Sequence, residues 1–289
     1  MVGASSESAG APRYVSADEV ARLVPSLRAI DALEAALRGG LDPDAGVARS
    51  VVPVEGGELL VMPSAAAGVP VVKLVSVGGT PRIQGVCVLF DPVTLAPAAI
   101  VDGVAVTNVR TAAVSALAVR HLAAEDARRL LVFGRGPQAH AHAEAIRAVR
   151  PIAHVDLVGR STPRAAVEEL VRAADVICCC TTAREPLFDG ALVADHATVV
   201  AIGSHEPEAR ETDSTLAARA TVVVESVPTA LREAGDVVLA AADGALDPAA
   251  LVPLAALVRG EAAVDPARPR LFKSTGMAWE DAVVAALLS

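Results

Sequence analysis

Residues 130–139 read LLVFGRGPQA, an apolar run that breaks into Gly134-Arg135-Gly136-Pro137-Gln138-Ala139 and continues as a helical pattern. This is the GxGxxA form of the strand–turn–helix motif that cradles a dinucleotide. Gly134 permits the tight turn, Gly136 lets the backbone approach a pyrophosphate, and Ala139 lets helix and strand pack closely. Pro137, followed by Gln138, suits a first helical turn. The free N–H groups and positive dipole end of such a helix suit an anion. The surroundings agree. Strand patterns at 130–133, 154–158, 175–180, 198–202 and 221–225 alternate with helical patterns near 137–149, 163–174, 213–219 and 227–234. That alternation predicts an α/β fold: a Rossmann-type doubly wound parallel sheet with helices on both faces.

The tip of the second strand decides the cofactor. A site for NAD usually places Asp or Glu there, on the ribose 2′-hydroxyl. Here the strand ends Val158-Gly159-Arg160-Ser161-Thr162, and Asp156 comes too early. Arg160, Ser161 and Thr162, with Arg164 close by, suit a 2′-phosphate, so NADP(H) is favoured over NAD(H).

The first 110 residues have another texture. Ser16 and Glu19 form a capping box ahead of Val20, Leu23, Leu27, Ile30, Leu33 and Leu37, so residues 14–40 read as helical up to Gly39-Gly40. The runs VARSVVPV, ELLVMP, VPVVKLVSV, IQGVCVLFD and AAIVDGVAVT then read as strands, with Asp91-Pro92 and Asp102-Gly103 as turns. Residues 111–121 and 247–258 read as helices, and LFKSTGMAWEDAVVAALL as a strand, a turn and a closing helix.

Composition removes several classes of function. Apolar residues at 53% against 20% charged exclude disorder as the dominant state. Aromatics at 2% leave no stacking platform for single strands, and a net charge of −9 argues against nucleic acid. No uninterrupted apolar stretch approaches the roughly 18 residues of a membrane span, so no membrane partner is expected. Residues 1–13 lack the pattern of a secretory signal and read as a flexible tail. Cys178, Cys179 and Cys180 stand in a row and fit neither a disulfide framework nor a CxxC metal site, which points to a reduced, cytoplasmic protein. His140 and His142, two apart on a helix, make a poor metal pair, and no metal constellation is found. Of 25 basic residues only Lys73 and Lys273 are lysines. Arginine cannot replace an ammonium that must lose its proton.

Together, RSVVPVEGGELLVMP, VVKLVSV, DGVAVTNVRTAAVSALA, FGRGPQA and the stretch from CCTTAREPLFDG to AIGSHEPEARETD resemble the ornithine cyclodeaminase/mu-crystallin family. EAGDVVL and FKSTGMAWEDAVVAAL extend the likeness to the C-terminus and lean towards the mu-crystallin branch. The resemblance implies a homodimer of two-domain chains. A second α+β domain for substrate and dimerisation would comprise residues 14–115 plus 260–289, and the Rossmann domain residues 116–259. Hydride exchange between a nicotinamide and the carbon of a C–N bond in an amino or imino acid is the implied chemistry.

Residue by residue, Arg49 resembles the family's arginine that grips the substrate carboxylate, and Lys73 the lysine at the reacting carbon. Arg110, followed by Thr111, resembles the arginine near cofactor and substrate. Thr181 and Thr182 resemble the loop beside the nicotinamide ribose, with Ile202 at the next strand end. Ser274 and Thr275 resemble the dipeptide that closes the site. Two departures stand out. Cyclodeaminases carry an Asp where this chain has His205 and a Glu where it has Leu60, which argues against cyclisation of a diamine. His205, with a pKa naturally near neutrality, remains a candidate acid–base group. The expected activity is reduction of an imino acid, as in a ketimine reductase or an alanine dehydrogenase-like enzyme. The alternatives are an ammonia-releasing ornithine or lysine cyclodeaminase, and a cofactor-dependent small-ligand binder without turnover.

Overall fold

A computed structural model describes residues 11–289. Arg13–Val15 form β1, so the expected tail is shorter than 13 residues; the rest of that expectation lies outside the described residues. Ser16 caps α1 (Ala17–Leu23): its hydroxyl accepts from the Glu19 N–H, and the Glu19 carboxylate accepts from the Ser16 N–H at 2.9 Å. The single helix expected over 14–40 is two. Pro25 lacks an N–H to donate, and α2 (Ser26–Arg38) starts afresh behind it. The break resets the helical phase, which leaves Leu27 47% exposed while Ile30, Leu33 and Leu37 are buried.

Five strands follow: β2 (Ser50–Val54), β3 (Gly57–Ser64), β4 (Val71–Gly78), β5 (Ile83–Phe90) and β6 (Pro97–Asp102). They pair antiparallel in chain order, with β1 added parallel to β6, giving the order β1-β6-β5-β4-β3-β2. Asp102 is a helix cap rather than a hairpin turn: its carboxylate accepts from the Ala105 N–H at 2.8 Å. The helix expected from residue 111 therefore begins eight residues earlier, as α3 (Gly103–Leu122). Its β-branched start reads as strand, but packing overrides that preference. α3 is buried on nearly every side, against α2, β5 and the elements that follow.

From residue 129 the chain alternates strand and helix: β7 (Arg129–Phe133), α4 (Pro137–Arg147), β8 (His154–Val158), α5 (Arg164–Ala173), β9 (Val176–Cys179), β10 (Thr198–Ala201), α6 (Ser214–Arg219), β11 (Thr221–Val224), α7 (Val227–Glu233) and α8 (Gly235–Ala242). In place of the helix expected over 247–258, a turn at Pro248–Ala250 leads to β12 (Val252–Pro253) and α9 (Leu254–Val258). Pro253 forbids an unbroken helix there. The chain closes with β13 (Arg270–Lys273) and α10 (Ala278–Ala286).

The second sheet is wholly parallel, in the order β12-β11-β13-β10-β9-β7-β8. Both its faces are covered. Leu130, Val132, Cys178, Val200 and Phe272 join one apolar core, and Leu131, Phe133, Ile177, Val199 and Leu271 the other. This explains the continuous apolar runs in its strands. One placement differs from expectation: β13 lies between β10 and β11, inside the parallel sheet. The segment 260–289 is thus divided, and only α10 packs on β3, β4 and β5 of the first sheet. No helix among the described residues is long and apolar enough to cross a membrane.

Candidate active site

In the parallel sheet β8 lies on one side of β7 and β9 on the other, so strand order reverses between β7 and β9. The crevice beyond the carboxyl ends of strands at such a reversal is where open α/β sheets bind ligands. A cavity of about 860 Å³ occupies that place, between the strand ends and the face of the antiparallel sheet. All the site residues expected from sequence line it except Gly136, Pro137, Ala139 and Ser161.

Three of these exceptions have a physical role beside the cavity. Gly136 is the N-cap of α4 and Pro137 its first residue, with no side chain capping the helix end. The amide donors at that end are free for an anion. No heavy atom lies within 4 Å of the place a Gly136 Cβ would take, which leaves room for phosphate oxygens. Ala139 is fully buried and packs α4 into the core. Gly134 has φ +123°, and a Cβ there would sit 2.7 Å from the Cys180 carbonyl oxygen. The turn therefore admits only glycine. At the other end of this groove Arg135 lies against Gly159, and Arg135, Arg160 and Arg164 all line the wall. These features fit a dinucleotide.

The loops beyond β9 and β10 are held from behind. Glu211 accepts from the Thr181 N–H at 2.8 Å and hydroxyl at 2.7 Å, and from the Gly203 N–H at 2.7 Å. Asp236 accepts from the Glu211 N–H at 2.9 Å and pairs with Lys273 Nζ at 3.0 Å. Lys273 also donates to the Ser204 carbonyl at 2.7 Å. Burial raises the Glu211 pKa, with Asp236 adding to the effect, whereas at Asp236 desolvation is outweighed by Lys273 and the Thr212 hydrogen bonds together, which hold its pKa down. One of the two lysines thus braces the loops beyond β9 and β10 without reaching the cavity wall.

The other is in the wall. Lys73 points from β4 and is 2% exposed, with Nζ 2.6 Å from Asp281 Oδ2. The approach is an ion pair whose angle falls outside hydrogen-bond geometry. Burial pushes the Lys73 pKa down by more than Asp281 restores, and Arg110 pushes the same way. Arg110, on α3, donates to Glu280 at 2.8 Å and lies 3.3 Å from Asp281. Desolvation opposes its charge, but Asp281 and Glu280 outweigh that and keep the guanidinium protonated. Arg49 donates to the carbonyls of Gly276 at 2.6 Å and Thr275 at 3.1 Å, and pairs with Glu233 at 3.2 Å. Gly276 has φ +78°, and a Cβ there would strike the Arg110 guanidinium at 2.4 Å.

His205 lines the cavity half-buried; burial and then Arg49 lower its pKa. Leading away from Lys73 the same sheet face carries Leu60 opposite Val75, then Val77 opposite Ile83, an apolar wall. Sequence reasoning missed the acids that hold the cations: Asp281, Glu280 and Glu233. The available signal was the pair Glu280-Asp281 inside the otherwise apolar AWEDAVVAA, which also reads as ordinary acidic residues in a first helical turn. The cysteines are buried or half-buried and free; burial pushes the Cys87 thiol up to about 12 and those of Cys178, Cys179 and Cys180 up as well. His142 is no ligand but a core residue, bonded to the Gln138 carbonyl and the Ser115 hydroxyl. Among the described residues no group of His, Cys, Asp and Glu is arranged to hold a metal.

The model of the ornithine cyclodeaminase/mu-crystallin family matches residues 13–289. A ketimine reductase mu-crystallin from Rattus norvegicus is 36% identical over 96% of each chain. A Δ1-pyrroline-2-carboxylate reductase from Colwellia psychrerythraea is 34% identical over 71% of this chain and 72% of its own. Among solved structures, the Δ1-pyrroline-2-carboxylate reductase of Thermococcus litoralis, in complex with NADH and L-proline, superposes with a TM-score of 0.85 at 26% identity, covering 95% of both chains.

Proposed function

The chain belongs to the ornithine cyclodeaminase/mu-crystallin family, and on that premise we propose that it is an NAD(P)H-dependent oxidoreductase reducing the C=N bond of an imino acid. The observation that carries this reading is the burial of Lys73 in the wall that also holds the dinucleotide turn and two arginines. A dinucleotide held at the Gly134–Ala139 turn would supply the hydride for the imine carbon. The chain's own residues do the rest. Arg49 and Arg110 offer guanidinium groups to the substrate carboxylate, a geometry that fixes orientation as well as charge. The Lys73 ammonium gives a proton to the imine nitrogen, and its lowered pKa makes that transfer easier. Asp281 holds the lysine in place at 2.6 Å. His205 stands at the cavity as a second acid–base group.

The wall of Leu60, Val75, Val77 and Ile83 suits an uncharged or cyclic side chain better than a second amine. This favours reduction over cyclodeamination. Arg135, Arg160 and Arg164 support NADP(H) as the preferred cofactor, with NAD(H) accepted more weakly. Thr111, Gln138, Thr162, Thr182, Ile202 and Ser274 line the remaining wall on the cofactor's path. A homodimer is supported by β2, the open edge of the first sheet, where every residue from Ser50 to Val54 is exposed. The free cysteines fit a reducing compartment such as the cytoplasm.

Spectrophotometric assay of NADPH and NADH oxidation tests the reading, with Δ1-pyrroline-2-carboxylate, other cyclic imines and 2-oxo acids plus ammonia as substrates. Oxidation with NADPH preferred is expected. Ammonia released from a diamino acid without net absorbance change would install the cyclodeaminase instead. Tight dinucleotide binding with no turnover on any substrate would leave a binding protein.

A further inference from the structure

Two buried carboxyl groups outside the substrate-facing set remain unused. Glu225 follows β11, and its Oε2 accepts from the N–H groups of Thr275 and Gly276, both at 3.0 Å. Glu280 lies in the first turn of α10 and accepts from Arg110 through Oε2 at 2.8 Å. Both are almost wholly buried. In each the second oxygen, Oε1, is also buried and has no hydrogen-bond partner. Gly276 brings the two together: its N–H donates to Glu225, and a Cβ on it would meet the same Arg110 nitrogen that Glu280 holds. Two buried carboxylates so placed do not both ionise, and one proton between them satisfies both orphaned oxygens.

We propose that Glu225 and Glu280 share one proton and act as positioning residues, keying Arg49 and Arg110 to a single carboxyl pair. The path is continuous. Arg49 is held by the Thr275 and Gly276 carbonyls, the N–H groups of the same turn by Glu225, Glu225 by Glu280 through the proton, and Glu280 by Arg110. The inference rests on the reading of those arginines as the clamp for the substrate carboxylate. The charges around the pair agree with one retained proton. Lys73 from β4 and Arg110 from α3 supply two positive charges, and Asp281 with the singly protonated pair supplies two negative. Beyond the turn, Arg49 is matched by Glu233 from α7. Burial first, and Glu225 next, push the Glu280 pKa well above the usual carboxylate range. In alkaline solution the proton leaves, the two carboxylates repel, and the link opens between the turn that holds Arg49 and the acid that holds Arg110.

Infrared difference spectra of the full-length protein without substrate test the proton directly. At neutral pH, wild type minus Glu280→Gln and wild type minus Glu225→Gln should each show one protonated-carboxyl band that shifts in D2O. If neither difference spectrum shows it, the proposal is overturned whatever the enzyme's activity. With the imine substrate found by the assay above, the wild-type KM should rise roughly tenfold per pH unit above the pKa of the pair, while dinucleotide Kd stays flat. In Glu280→Gln the amide keeps the bridge without titrating, so that rise in KM should flatten relative to wild type. An unchanged KM profile in Glu280→Gln beside an intact infrared signature would place the proton there but deny it the positioning role. Failure to find any substrate would count against the proposed reduction and leave the infrared result standing.

Discussion

Lys73 combines burial, a carboxylate 2.6 Å away and a neighbouring guanidinium, and burying its ammonium carries a desolvation cost that Asp281 offsets only in part. Lys73→Ala should lower kcat by about 10²–10⁴, the usual span of a positioned proton donor, with dinucleotide Kd unchanged by fluorescence titration. Lys73→Arg should not restore turnover, because a guanidinium does not give up its proton. Unchanged kcat in Lys73→Ala would remove the assignment. His142 offers a second residue-level test, on stability. It is fully buried between the Gln138 carbonyl and the Ser115 hydroxyl, and burial lowers its pKa to about 4. The unfolded chain then binds more protons than the folded one between that value and the ordinary pKa of about 6.5. Stability is complete above the upper limit and falls as pH drops through the window, by about 3 kcal/mol in all. Urea unfolding at pH 7 and pH 4.5 should show most of that loss in wild type and much less of it in His142→Gln.

Among the elements, the β7–α4 unit is held to its shape by Gly134, whose positive φ and 2.7 Å clearance from the Cys180 carbonyl leave no room for a side chain. Gly134→Ala should cost about 1–3 kcal/mol of stability and weaken dinucleotide binding at least tenfold, measured by thermal melting with and without NADPH. The β9 and β10 loops depend in the same way on Glu211, which satisfies three donors across two strand ends. Glu211→Ala should raise KM for the dinucleotide more than KM for the imino acid, because Thr181 and Gly203 border the cofactor groove. Equal changes in both would show that the acid merely stabilises the fold.

For the whole molecule, the site exists only because distant segments converge: Arg49, Lys73, Arg110, Gly134, His205 and Thr275 share one cavity wall. α3 touches elements of both sheets, and β13 crosses into the parallel sheet before α10 returns to the first. In the proposed homodimer the exposed edge β2 is the surface for the second copy. Val52 and Val54 lie on its face opposite the cavity, since their neighbour Val51 pairs with the cavity residue Leu60. Sedimentation should report a dimer for wild type and a monomer for the Val52→Glu, Val54→Glu double variant. The sequence alone determined the dinucleotide turn, the parallel alternation and the capping box, because each is set by neighbouring residues: glycines where backbone must bend, apolar runs where strands are covered twice, a hydroxyl three residues before a carboxylate. It also marked Lys73, through the near absence of other lysines. The start of α3, the insertion of β13 and the acids that hold Lys73 and Arg110 were decided only by the tertiary structure. A β-branched run becomes helix when it is packed on all sides. A four-residue strand joins whichever sheet leaves a gap. A carboxylate in a helix's first turn is a surface charge or an ion-pair partner according to what the rest of the chain brings to within 3 Å of it.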